Sequence, residues 1–376
     1  MDSTLLHLLV FLTSIIPFFY LRKYMCYTNE DVTHIRYNGY ILLLFSIVFL
    51  CGFAALRDTS VGTDIGVYVL PNFNHISHKG FWHYYVNMPV NTEIGFAYIL
   101  YLGVLLDNIG ISFFLIQFLT ILPVLFLLCK KKFYSPIVGM LIFLFLNYDM
   151  SLSLMRGSIS MSILLLAYSY LYEEKYIIFL ILTGFAVLFH SSTLLIAPIL
   201  FVIHKMCQTS HFKLLIIIYL SIIGIFYVVA SRYSNTIGEL AGFANERYTY
   251  YVNKYMEEGN ASDIPLTDLI CKSLILVISL IVFHKSNNPL VREYLLLAFT
   301  GRFFVLFNGV FYESMRIAFF FDMFLIPLVA MIPNSLYKTK FEQKTMCFTA
   351  IAFAFAYWIH FVMGIGAYGT NVYEFR

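Results

Sequence analysis

Apolar residues along this chain gather in runs of about 14 to 20, near the length that crosses a bilayer. The runs cover 4–21, 40–56, 94–106, 111–129, 137–147, 154–171, 176–189, 193–203, 213–230, 266–283, 294–310, 316–332 and 346–363. They predict an all-α polytopic membrane protein with about 11 to 13 membrane-embedded helices. No fixed-period repeat, low-complexity tract or long linker interrupts them, so residues 1–376 read as a single transmembrane domain. The two longest polar connections, 57–93 and 231–265, read as external loops. The first run lacks a basic leader and a small-residue cleavage site, and reads as a retained helix.

Composition supports this pattern. The chain is 60% hydrophobic and only 12% charged, against about 25% charged in a soluble domain. That is too little charge to cover a soluble surface. The 19% aromatic content suits lipid-facing belts. A net charge of +3 is too small to argue for nucleic acid.

Basic residues set the orientation. Clusters occur at Arg22, Lys23 and Arg36; at Lys130, Lys131 and Lys132; at Lys205 and Lys213; at Lys285 and Arg292; and at Lys338, Lys340 and Lys344. All lie on the cytoplasmic side if the short run 94–106 stays in the outer interface or re-enters. Both termini then lie outside. The acidic surplus falls on the external side, which was not used to build the arrangement.

Cys26, Cys129 and Cys207 fall on the cytoplasmic side, and Cys51, Cys271 and Cys347 in or beside helices. No large external loop holds a cysteine, and no CxxC suggests a redox centre or a thiolate zinc site. His75, His78 and His83 fit no standard ligand spacing, so neither a metal nor a cofactor is expected. There is no P-loop, no GxGxxG after a strand and no HExxH. Without an Asp-x-Asp pair in a cytoplasmic loop, a nucleotide-sugar enzyme working from inside is disfavoured.

The purposeful polar residues collect on the outer face. Arg57-Asp58-Thr59-Ser60-Val61-Gly62-Thr63-Asp64, followed by Tyr68, leaves the second run. Such a loop either binds a charged headgroup and holds a base, or is a capped loop whose Arg57 pairs with Asp58 or Asp64. Arg156 opens an otherwise apolar helix, where it either snorkels or offers a guanidinium fork to a phosphate. His190, followed by Ser191 and Ser192, ends the next helix. A short turn makes the two helices a hairpin and returns Arg156 and His190 to one membrane face. Glu313-Ser314-Met315-Arg316 forms another acid–base pair on that face. Arg302 is expected roughly 15 Å into its helix at the helical rise, where it marks a functional site or pairs with Asp322. Lys272 is expected to snorkel.

These residues resemble a known family. Arg57-Asp58 through Val61-Gly62-Thr63-Asp64 to Tyr68 looks like the opening motif of EpsG-like, Wzy-type polysaccharide polymerases. Met155-Arg156 through Phe189-His190-Ser191-Ser192 looks like the second block, with Gly157 where a Gln usually follows the Arg. Arg316, leading the helix with Asp322 and Pro327, resembles a third, and the likeness runs from about Tyr40 to Pro333. The resemblance implies the fold of polyprenyl-phosphate-dependent (GT-C-like) glycosyltransferases in the bacterial inner membrane, with an outward-facing site. It implies transfer of a growing glycan from one undecaprenyl diphosphate to a repeat unit on another. The partners would then be lipid-linked donor and acceptor oligosaccharides, membrane lipid and a chain-length regulator. Arg57, Arg156 and Arg316 are expected as diphosphate clamps, Arg302 as a fourth, Asp64 and then His190 as the base, and Asp58 as the residue orienting Arg57. Tyr248, Tyr250 and Tyr251 either stack on sugars or sit at the interface.

An O-antigen ligase is the nearest rival, though its external loop between late helices is typically larger than 231–265. A flippase would need charges reachable from both sides, whereas here they cluster on one.

Overall fold

A computed structural model describes residues 2–28, 31–75, 80–88, 92–209, 212–232, 265–309, 314–335 and 339–376. His78, Glu313, most of the second external loop and its Tyr248, Tyr250 and Tyr251 lie outside the described residues. Among the described residues, seven helical spans are long and apolar enough to cross a membrane. They are Ser3–Tyr24, Tyr37–Leu56, Ile109–Lys130, Pro136–Ser153, Leu266–Phe283, Ser314–Asn334 and Lys340–Gly364. Met155–Tyr172 and Pro289–Leu306 carry more polar side chains, and Tyr176–Val187 and Thr193–Gln208 are shorter. The protein is therefore an all-α polytopic membrane protein.

Burial sorts the helices into a centre and a rim. Inside Pro136–Ser153, 89% of the apolar window is buried against the rest of the protein, and inside Ser314–Asn334, 83%. For Ser3–Tyr24 and Tyr37–Leu56 the values are 44% and 39%. The latter pair turns leucines and phenylalanines such as Leu12, Phe19, Leu44 and Phe45 outward, as helices bordering lipid do.

The two faces separate cleanly. Arg22 reaches Asn334, Asn334 reaches the Phe133 carbonyl, and Lys130 pairs with Glu173 at 3.0 Å. These contacts gather the lysine-rich turns on one face. On the opposite face the C-terminal tail lies across the segment after the second helix. Asp58 N–H donates to Glu374 O (2.8 Å), Gly62 N–H to Gly369 O (3.0 Å), and Tyr373 N–H to the Ser3 hydroxyl (2.8 Å). Both termini, the Arg57–Asp64 segment and the start of Met155–Tyr172 thus share one face, called here the termini face.

The structure refines the helices and loops that the apolar runs outlined. The loop after the first helix folds into a two-stranded antiparallel hairpin, Met25–Thr28 with Asp31–Ile35. The first external loop is largely ordered helix: Ile65–Val69 as a π-turn, then Leu70–Asn74 and Phe81–Asn87. The run 137–147 continues through a π-turn, Leu144–Tyr148, to Ser153, and the break falls at Leu154 (φ −80°, ψ 54°). Ile94–Leu105 has twelve residues, about 18 Å at the helical rise. Its start lies by Ser191 and its end leads through Asn108 to Gly110, packed on the Ala55 carbonyl, so both ends stay at the termini face.

Arg302 is nearer the surface than its run implied, because the helix is Pro289–Leu306 and Arg302 lies four residues from its far end, about 6 Å. There it pairs with Asp322, as anticipated, and also with Asp268 at 2.8 Å. Lys272 does not snorkel. It is buried between Asp268 and Asp322, the latter at 2.9 Å, beneath the Tyr357 ring. A cation on an apolar helix can either reach water or take buried carboxylates, and here two carboxylates are in reach.

Candidate active site

The site is built on the kink at Leu154. Gly62 has φ +113°, and a Cβ there would stand 2.9 Å from the Leu152 carbonyl oxygen. Only glycine adopts that backbone freely and permits that approach. Thr63 N–H then donates to the Ser153 hydroxyl at 3.2 Å, and the two hydroxyls bond to each other. These contacts fasten the Val61-Gly62-Thr63 turn to the start of Met155–Tyr172. Asp64 is thereby delivered to the mouth of that helix, one residue before the π-turn Ile65–Val69.

Arg156 lies in the first turn of Met155–Tyr172 and is 8% exposed. Tyr68, from the π-turn, lies under its guanidinium at 4.0 Å. The spacing from Asp64 to Tyr68 is one helical turn, which brings both residues to the same arginine. Nη1 of Arg156 donates to Glu93 Oε2 at 2.9 Å. The other oxygen of Glu93 accepts from Ser191 N–H (3.1 Å) and the Ser191 hydroxyl (3.2 Å), and lies 3.6 Å from His190 Nδ1. The His190 ring stacks on Phe320 at 6.2 Å between centroids. Phe320 belongs to the helix Ser314–Asp322, whose first turn carries Arg316.

Electrostatics separates the two carboxylates. Burial pushes the Asp64 carboxyl above the usual carboxylate range, against the charges of Arg316, Arg156 and His190 that draw it down. Burial also opposes ionisation of Glu93, but the His190 contact and the Arg156 charge outweigh it and hold Glu93 well below that range. Among the described residues nothing hydrogen-bonds the Asp64 carboxylate. Two carboxyls driven apart in this way suit different roles, a proton acceptor and a fixed anion.

The structure therefore brings together Asp64, Arg156, His190 and Arg316, drawn from four separated stretches of sequence. It places Arg57 elsewhere. That side chain is 1% exposed, donates from Nη1 to the Leu152 carbonyl (2.6 Å) and from Nη2 to Met155 Sδ (3.3 Å), and lies 4.3 Å over the Phe113 ring. It secures the Leu154 kink from below. Asp58 does not orient it: the Asp58 carboxylate accepts from Ser60 N–H at 2.9 Å, closing its own turn. Arg302 is spent in its ion cluster with Asp268 and Asp322. Among the described residues no three of His, Cys, Asp and Glu come together as a metal-ligand set.

Glu93 is the residue that sequence reasoning missed. Locally it is only the polar residue before an apolar run, a helix N-cap position. Its partners lie 63 and 98 residues away, and no local pattern encodes such pairings.

Comparison with curated proteins and with solved structures gave no match for the chain. A comparison with family models gave one, the EpsG family, over residues 40–375. That match takes in every residue of the cluster and supports a polysaccharide polymerase-type role. With nearly the whole chain matched, the protein belongs to the EpsG family.

Proposed function

We propose that this protein polymerises lipid-linked oligosaccharide repeat units. It transfers a growing glycan from one undecaprenyl diphosphate to the repeat unit carried by another, in the bacterial inner membrane, at the outward face. The observation that carries the reading is the convergence of Asp64, Arg156, His190 and Arg316 at one mouth on the face opposite the lysine-rich turns. The positive-inside tendency supports placing the lysine-rich face in the cytoplasm, which turns the cluster outward.

In this reading a hydroxyl of the acceptor sugar attacks the anomeric carbon of the donor glycan. The new carbon–oxygen bond forms as the bond to the diphosphate oxygen breaks. The hydroxyl proton passes to Asp64, whose raised affinity for protons makes it a better base near neutrality than an ordinary carboxylate. The electron pair departs on the diphosphate. Its charge is met by Arg156 and Arg316, fixed before the reaction begins. His190, within reach of the same charges, is the second candidate for the proton. Arg57 and Arg302 belong to the scaffold, the first holding the kink under Arg156 and the second anchoring the helix that carries Arg316.

The test is complementation of a polymerase-null strain carrying the cognate glycan locus. Wild type should restore a ladder of repeat lengths, and Arg156→Ala and Arg316→Ala, at equal membrane levels, should leave single repeats. A null strain that already makes long undecaprenyl-linked chains, failing only to pass them to lipid A-core, would identify a ligase instead. A ladder unchanged by both substitutions would reduce the arginines to interfacial anchors.

A further inference from the structure

We infer that Glu93 is a positioning residue for the transfer step, locking Arg156 and His190 into one geometry. The inference rests on the polymerase reading above. A carboxylate beside a diphosphate site weakens binding of that anion by like-charge repulsion, so binding alone does not explain its presence. Its contacts do. Oε2 holds Arg156 Nη1 at 2.9 Å, while Oε1 takes the Ser191 N–H and hydroxyl at 3.1 and 3.2 Å and faces His190 Nδ1 at 3.6 Å. One side chain thus ties the start of Ile94–Leu105 to the first turn of Met155–Tyr172 and to the end of Tyr176–Val187.

The anchor itself is fixed. Gly95 N–H donates to the Leu188 carbonyl at 2.8 Å, and a Cβ on Gly95 would collide with that oxygen. The backbone that carries Glu93 is therefore held against the end of the neighbouring helix. Arg156 is gripped on its face by Tyr68 and at Nη1 by Glu93. Among the described residues Nε and Nη2 carry no hydrogen bond, which leaves one side of the fork for a phosphate. His190 turns Nδ1 toward Glu93, so Nε2 is the ring nitrogen left for the reaction. Ordering these groups in advance lowers the barrier without improving ground-state binding.

That assignment makes a prediction that a purely structural role does not. The full-length chain, in liposomes, would be assayed with lipid-linked repeat unit extracted from the polymerase-null strain. Glu93→Gln should lower kcat by about tenfold or more with KM unchanged or reduced, because the repulsion goes with the charge. Glu93→Asp, which keeps the charge, should recover part of kcat. Combined with Arg156→Ala, Glu93→Gln should cost less than it does alone, since only His190 is left for it to position. A kcat within about twofold of wild type, a rise in KM alone, or losses that multiply in the double variant would overturn the inference and leave the polymerase reading standing. A wild-type chain that makes no polymer would overturn both.

Discussion

Two clusters of arginine and carboxylate sit toward the same face of this protein and do opposite things with similar residues. In the closed one, Asp268 and Asp322 each give one oxygen to Arg302 and the other to Lys272. All four side chains are at most 6% exposed. In the half-open one, Glu93 and Arg156 pair at the edge of solvent, at 17% and 9% exposure, and Asp64 feels three neighbouring charges without bonding to one of them. In the closed ring every carboxylate oxygen has its cation. Buried charges are tolerated only when matched in this way, and removing one member strands another. The half-open cluster keeps hydrogen-bonding capacity on Arg156 and a proton site on Asp64. A residue type therefore says little about role until its partners are counted.

Substitutions can break this contrast. The largest effect should come from Asp64→Asn, which removes the proposed base and should lower polymer formation by about 10²- to 10⁴-fold. In wild type the acid limb of the pH–rate profile should lie above the ordinary Asp value of about 3.9, because burial raises this carboxyl. The base works deprotonated, so activity should fall as pH drops through the raised value, and Asp64→Asn should abolish that limb. An unchanged limb would transfer the base role to His190. Next, Arg156→Ala should cost about 10²- to 10³-fold in kcat, as expected for a lost anion-stabilising donor, with the protein still reaching the membrane.

The closed ring should respond in stability instead. Arg302→Met leaves Lys272 facing two buried carboxylates and should destabilise by about 3–5 kcal/mol, read as a lower unfolding temperature in detergent. The double change Arg302→Met with Asp322→Leu should recover much of this, since Lys272 and Asp268 remain paired. A stable Arg302→Met protein that makes only single repeats would move Arg302 into the active site and dissolve the distinction. The smallest effect should come from Phe320→Leu. It removes a stack on His190 of the kind that contributes about 0.5–1.5 kcal/mol, so a ladder weakened a few-fold is expected.

The sequence reading and the structure diverge at definite places. Arg156, His190 and Arg316 stood out because each is a polar residue at the end of an apolar run, where polarity is costly without a use; Asp64, well beyond the second run, stood out only through the motif that opens at Arg57. The Arg302–Asp322 pair was legible for a related reason: a cation within a helix needs an anion, and Asp322 lay on the next one. Lys272 and Asp268 were not, because a lysine near a helix end is equally well explained by reaching water. Arg57 stands in the same motif as Asp64, yet its guanidinium points under the loop to the Leu152 carbonyl. Motif spacing places a Cα; it does not say which side of a turn the side chain takes.

What the sequence determined by itself were the membrane-embedded helices and the gathering of the lysine-rich turns on one face. Those properties depend on local hydrophobicity and loop charge, which are written residue by residue. Apart from the Arg302–Asp322 pair, which charges meet was decided by tertiary structure. The Glu93 contacts with Arg156 and Ser191 span 63 and 98 residues. They exist because Gly62 admits a close backbone approach at Leu152 and Gly95 admits another at Leu188. Pairing at such separations follows the path of the backbone through a packed helix bundle, and that path is set by the sum of all the packing contacts.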